Sequence, residues 1–170
     1  MKIMLKELRK SEDTQIFEMI REIGPGENGF VNSLKVDNED AFNTKLIRNY
    51  EYSQGLNLLP CHVPQTLYWL YINERPVGYG KLRHFLNDSL LEHGGHIGYV
   101  IRPSERNKGY GKILLRELIK EAIYKKIDQV LLTCDERNYP SRKIIEYNYG
   151  QLEEIKDGTC KYWIKTLRTI

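Results

Sequence analysis

The chain has 170 residues, enough for one domain with a real core, and its 26 Lys and Arg stand against 23 Asp and Glu for a formal charge of +3. Basic and acidic residues are interspersed rather than gathered in a stripe or tail, which gives no electrostatic footprint for nucleic acid. Cys61, Cys134 and Cys160 show no paired spacing, the first residues lack the apolar core of a signal peptide, and no apolar run approaches the roughly 20 residues that span a bilayer, so a reducing cytoplasm is the expected home.

In chain order, Ile3 to Leu8 reads as a first strand and Ser11 to Ile23 as a helix, stopped by Gly24-Pro25-Gly26. A second helix is predicted from Glu39 to Tyr52, with Phe42, Leu46, Ile47 and Tyr50 at helical spacing, followed by a loop marked by Pro60 and Pro64. Thr66 to Ile72 and Val77 to Arg83 form a hairpin across Asn73-Glu74-Arg75-Pro76. Tyr68, Trp69 and Tyr71 read as core and cross-strand residues rather than a platform for stacking bases. An extended segment through Gly94-Gly95-His96-Ile97-Gly98-Tyr99 then leads to a glycine-rich turn and a helix from Gly109 to about Lys125. The apolar face of that helix carries Ile113, Leu114, Leu118, Ile119, Ala122 and Ile123. A buried strand from Asp128 to Cys134, a short helix ending near Asn148, and a hairpin of Gln151 to Ile155 and Thr159 to Lys165 complete the chain.

The turn Ile101-Arg102-Pro103-Ser104-Glu105-Arg106-Asn107-Lys108-Gly109-Tyr110-Gly111-Lys112 is the most informative stretch. A turn of this kind entering a helix leaves backbone N–H groups unpaired at the positive end of the helix dipole, a ready site for pyrophosphate. Arg106, Lys108 and Lys112 add charge, and Gly109 and Gly111 clear the approach to the backbone. A triphosphate-hydrolysing loop is excluded because Arg106 and Ile113 stand where it needs Gly and Ser or Thr; a dinucleotide fingerprint is excluded because Leu114 stands where it needs a small residue.

What remains, Arg-x-x-Gly-x-Gly between a strand and a helix, resembles the coenzyme A pyrophosphate loop of the GNAT superfamily of N-acetyltransferases. The resemblance covers roughly residues 66 to 168 and is nearest to a bacterial group of predicted acetyltransferases, through Gly94-Gly95-His96-Ile97-Gly98-Tyr99 and Ile101-Arg102-Pro103-Ser104. It implies a single domain over 1–170 of α/β (mixed α+β) class. The implied sheet is largely antiparallel, of six to seven strands with splayed parallel central strands, flanked by about four helices. It implies acetyl-CoA as acyl donor and no metal. The implied cofactor-binding residues are Tyr99, Val100 and Ile101 on the splayed strand, Arg106, Asn107, Lys108, Gly109, Tyr110, Gly111 and Lys112 in the loop, and Asn138 and Ser141 beside the pantetheine arm.

The chemistry implied is direct attack of an amine on the thioester in a ternary complex, which asks the protein to orient both reactants, to stabilise an oxyanion with a backbone N–H and to help remove a proton. His96 is the candidate general base, unless a bulge shifts the register and turns it away. The family's tyrosine acid aligns with Ile145, and Tyr147, two helical positions on, should point elsewhere. The acceptor is expected to be a small-molecule amine. A peptide or protein amine, or a noncatalytic acyl-CoA-sensing module, is the alternative, and a homodimer is allowed. Glu27, Asp37, Glu39 and Asp40 could draw a cationic amine, although charged loops are ordinarily just solvated. Neither the cluster Glu92, His93 and His96 nor the adjacent Cys61 and His62 reads as a metal or nucleophile site.

Overall fold

A computed structural model describes residues 1–167; the last three positions of the predicted 1–170 domain lie outside the described residues. The order is β1 (Ile3–Glu7), α1 (Thr14–Ile23), α2 (Glu39–Ser53), β2 (Gln65–Ile72), β3 (Arg75–Arg83), α3 (Asp88–Glu92), β4 (Ile97–Ile101), a 3-10 turn (Pro103–Glu105), α4 (Tyr110–Tyr124), β5 (Gln129–Asp135), α5 (Tyr139–Tyr147), β6 (Gln151–Lys156) and β7 (Thr159–Lys165).

The strands divide into an antiparallel four-stranded sheet, β1-β2-β3-β4, and an antiparallel three-stranded sheet, β5-β7-β6. The splay expected at the centre therefore takes the form of a break between β4 and β5, each the edge strand of its own sheet. The chain passes from β4 through α4 to β5, the crossover connection that parallel neighbours require. Among the described residues the two edges are stitched at the root of β4, where the His96 N–H donates to the Leu131 carbonyl at 2.8 Å and the Gly94 N–H donates to the Thr133 hydroxyl at 2.8 Å.

β2 reads as a continuous apolar run because both of its faces are covered. Tyr68, Leu70 and Ile72 enter a core shared with Leu114, Leu115, Leu118 and Ala122 of α4; Leu67, Trp69 and Tyr71 enter a second core with Ile16, Met19 and Ile20 of α1 and Phe42 and Leu46 of α2. On α4 the buried stripe includes Leu115, while Ile113 and Ile119 pack at its edge. On α2, Ile47 is exposed although its spacing predicted burial.

Caps set the helix boundaries. α1 begins three residues after Ser11 because the Asp13 carboxylate, rather than the Ser11 hydroxyl, accepts the Ile16 N–H at 3.2 Å. Asn38 caps α2, and Asn87 caps the short α3, which the sequence analysis did not predict. The segment between α1 and α2 is pinned onto the first sheet: Asn32 donates to the carbonyls of Ile20 and Gly24, and its Oδ1 accepts from the buried Tyr79 hydroxyl at 2.7 Å. Arg102, at the end of β4, is buried rather than a surface charge. Its Nε donates to Glu22 of α1 at 2.5 Å and its Nη1 to the Pro76 carbonyl at 3.1 Å, which fixes where β4 ends and the glycine-rich turn begins.

Candidate active site

The turn after β4 has the geometry of an anion cradle. Gly109, at φ 81°, caps α4 with no side-chain hydrogen bond, Asn107 is also left-handed at φ 61°, and the position of a Gly109 Cβ meets nothing within 4 Å. Arg106 N–H is taken by Pro103 and Ile113 N–H by Gly109; between them the N–H groups of Asn107, Lys108, Gly109, Tyr110, Gly111 and Lys112 find no acceptor among the described residues. A run of unpaired donors over open space at a helix N-terminus is complementary to pyrophosphate oxygens, so the residues present fit the cofactor.

The side chains around this cradle are less free than their charges imply. Arg106 donates through Nε to the Ile101 carbonyl at 3.0 Å and pairs through Nη1 with Glu27. Lys108 pairs with Glu105 at 2.8 Å, and the Lys112 ammonium stands 4.2 Å from the centre of the Tyr147 ring. The loop charges expected to meet phosphate are thus engaged with the protein itself, which leaves the backbone as the primary anion binder. Gly111 serves packing as well, since a Cβ there would lie 2.7 Å from Cδ1 of Ile144.

Upstream lies the gap between the two sheets. Pairing with β3 uses one edge of β4, so alternate N–H and carbonyl groups along Ile97–Ile101 point toward β5 without a strand to meet them. Val100 turns its side chain into the core on the α1 side, and Tyr99 and Ile101 pack on the α4 side. The Tyr99 hydroxyl reaches across the gap to Ser141 Oγ at 3.0 Å, and burial pushes its pKa up. Asn138 Oδ1 accepts the Ser141 N–H at 3.3 Å and caps α5. The strand, turn and cap residues expected around the cofactor are therefore gathered along one path, from Ser141 and Tyr99 to Gly109.

His96 differs from the base expected of it. Its ring is buried, and Nδ1 accepts the Leu131 N–H at 2.9 Å. A neutral imidazole that accepts at Nδ1 carries its proton on Nε2, so no lone pair remains to receive one from an amine. Burial, reinforced by the nearby Arg83 charge, lowers its pKa to about 4. His96 stitches the two sheets twice at Leu131, by backbone and by side chain. Unfolded histidine titrates near 6.5, so between pH 6.5 and 4 the unfolded chain binds more protons than the folded one, and stability falls as pH falls through this window. Urea unfolding at pH 7 and pH 5 should show the loss, and His96→Asn should show less of it. An equal loss in both proteins would remove His96 as its source.

The acid position is likewise structural: Ile145 is 1% exposed in the core, and Tyr147 is an exposed ring beneath Lys112. Among the described residues no group of His, Cys, Asp and Glu is arranged to hold a metal.

Between α2 and the end of β3 lies a cavity of about 410 Å³, bordered also by the loop before β2 and by α3, and lined among others by Arg48, Tyr52, His62, Lys81, Arg83 and Asn87. Lys81 pairs in register with Gly98 of β4, where a Cβ would lie 3.3 Å from the Lys81 Cε, so one lining residue of the cavity lies against the strand of the cofactor path. The sequence reading missed these residues. The one available signal was that Lys81 and Arg83 follow Tyr79 on the same face of a strand otherwise directed into the core.

Comparisons with known proteins bear on the family and the fold. Residues 28–149 match the model of the acetyltransferase (GNAT) family. Comparison with curated protein sequences gives no match. Among solved structures, the N-acetyltransferase PseH of Campylobacter jejuni, in complex with acetyl coenzyme A, is 15% identical with a TM-score of 0.65, over 96% of this chain and 99% of that one. YncA of Salmonella typhimurium, a putative acetyltransferase with acetyl-CoA, is 15% identical with a TM-score of 0.67, over 100% and 97%. RimL, a ribosomal L7/L12 alpha-N-protein acetyltransferase in complex with coenzyme A, is 13% identical with a TM-score of 0.70, over 96% and 93%. These three share the fold, and the match across most of the sequence assigns the family: the chain belongs to the GNAT acetyltransferases.

Proposed function

We propose that this acetyltransferase moves the acetyl group of acetyl-CoA to the amine of a small molecule by direct attack in a ternary complex, within one domain. The observation that carries the reading is the unpaired N–H run from Asn107 to Lys112, set at the end of a strand whose free edge faces a gap between sheets. The loop N–H groups would hold the pyrophosphate, and the free edge of β4 at Tyr99 to Ile101 would hydrogen-bond the pantetheine amides as a further strand does. Ser141 and Tyr99, 3.0 Å apart across the gap, would flank the same arm.

Acetyl-CoA supplies an activated thioester, so the protein's task is chiefly positioning. An N–H of β4 pointing into the gap would meet the developing oxyanion, and closing the gap around the arm would keep water from the ester. Because the His96 Nδ1 is engaged by Leu131, the amine proton would leave to solvent through the open cavity rather than to this ring. A small acceptor is favoured over a protein by the cavity itself, which is bounded on several sides by α2, α3 and the loop before β2.

Thiol release from acetyl-CoA, followed with a panel of small amines and with peptides bearing free N-termini, tests the reading. Amine-dependent release, fastest with small acceptors, is expected. Binding of acetyl-CoA without release by any amine would make the protein a sensor instead, and release only with peptides would replace the acceptor class.

His96→Asn and His96→Ala give a separate expectation. The shorter Asn retains an oxygen acceptor for Leu131, whereas Ala strands a buried N–H at a cost of about 1–3 kcal/mol. Both variants should keep the wild-type pH dependence of kcat, with Ala the less stable. A pH profile altered alike in both would return the base role to His96.

A further inference from the structure

The cavity beside β4 carries positive charge that nothing in the protein neutralises. Arg48 of α2 and Lys81 and Arg83 of β3 all line it, and no Asp or Glu does. Among the described residues none of the three takes part in an ion pair, although Arg106, Lys108, Arg102 and Arg75 all do. Arg48 donates to the Tyr52 hydroxyl at 3.3 Å and stacks on its ring. Arg83 donates through Nη1 to the carbonyls of Gly94 and Gly95 at 3.2 and 3.0 Å, and the Lys81 ammonium sits 4.8 Å from the centre of the Phe30 ring.

Neutral dipoles and aromatic faces hold these cations in place but leave their charge uncancelled. Burial, with the Arg83 charge added, lowers the Lys81 pKa to about 8, and burial lowers that of Arg83 as well. Such an arrangement costs stability in the empty protein, and an anion entering the cavity would remove the cost. The acidic residues that could have drawn a cationic amine do not serve it: Glu27 pairs with Arg106, and Asp37, Glu39 and Asp40 do not line the cavity.

From the half-open cavity, the three uncompensated cations that line it and the contact of Lys81 with β4 at Gly98, we infer that the acceptor is an amine that also bears an anionic group, a carboxylate or a phosphate. This rests on the acetyltransferase reading above and narrows its substrate. Arg48, Lys81 and Arg83 grip the anion, with the Asn87 amide and His62 as further polar lining, while the amine of the same molecule projects past Lys81 toward the edge of β4. The cations then act in orientation: they fix the end of the acceptor that does not react, and so aim the end that does.

The test uses the full chain saturated with coenzyme A, so that the pyrophosphate cradle is filled. Calorimetric titrations compare matched pairs: glucosamine 6-phosphate against glucosamine, and 5-aminovalerate against 5-aminopentanamide. At least one anionic member should bind about tenfold or more tightly than its neutral twin, and the preference should fall toward parity in both Arg48→Gln and Lys81→Gln while coenzyme A affinity stays unchanged. Preference in the first pair alone identifies phosphate as the recognised group, and in the second alone carboxylate. If neither anionic member outbinds its twin, or if the preference survives in both variants, the inference is wrong even where coenzyme A binds. If coenzyme A itself fails to bind, the acetyltransferase reading falls and takes this inference with it.

Discussion

Gly109→Val should lower acetyl-CoA affinity by at least about a hundredfold, close to 3 kcal/mol, in calorimetric titration. Two effects add. The side chain would stand over the N–H run in space that is open, where a pyrophosphate has to approach. A branched residue at φ 81° also costs of the order of 1–3 kcal/mol, and the loop would relieve that strain by turning its donors out of alignment. Because nothing beyond its chain neighbours lies within 4 Å of the new Cβ, the cores are untouched and the far-ultraviolet spectrum should match the wild type. Affinity within threefold of wild type would mean that the cradle does not bind the cofactor.

The largest loss of stability is expected from Gly95→Ala. Gly95 sits at φ 60° in the turn that delivers His96 to the seam, and its Cβ would fall 2.3 Å from the Leu131 carbonyl oxygen. The obstacle is backbone, not the tip of a flexible side chain, so the two sheets must part there or the turn must unwind. Either route disturbs both hydrogen bonds between His96 and Leu131 and the one from Gly94 to Thr133. A loss of about 3–4 kcal/mol is expected in urea unfolding. Since the seam also sets the spacing of β4 and β5, acetyl-CoA affinity should fall in the fraction that remains folded. Stability within 1 kcal/mol of the wild type would show that the sheets tolerate separation, and would end the account of His96 as their fastener.

Much of the fold was legible because its elements obey simple periodicities. Thr159 to Lys165 is a strand with the bounds its pattern predicts, and the helix expected from Gly109 to Lys125 is α4 together with its two caps. The cradle was legible for a related reason: glycine spacing at a strand-to-helix turn fixes local backbone geometry, and backbone geometry alone makes that site. Side-chain roles were harder to read. The positive charges of Arg106 and Lys108 are spent on Glu27 and Glu105, partners whose proximity depends on how the segment after α1 folds back. The ring of His96 is consumed by Leu131, a residue of the opposite sheet, and no local pattern announces such a pairing. The cationic cavity joins α2, β3 and α3 across more than 40 residues of sequence; three charges scattered among many others have no signature until packing assembles them.

Thermal unfolding with and without acetyl-CoA tests the central claim most directly. A ligand at 100 times its dissociation constant adds about 2.7 kcal/mol to the folded state, which for a chain of this size raises Tm by roughly 5–10 °C. The account predicts that shift in the wild type and its near disappearance in Gly109→Val. No shift in the wild type at millimolar acetyl-CoA would contradict it.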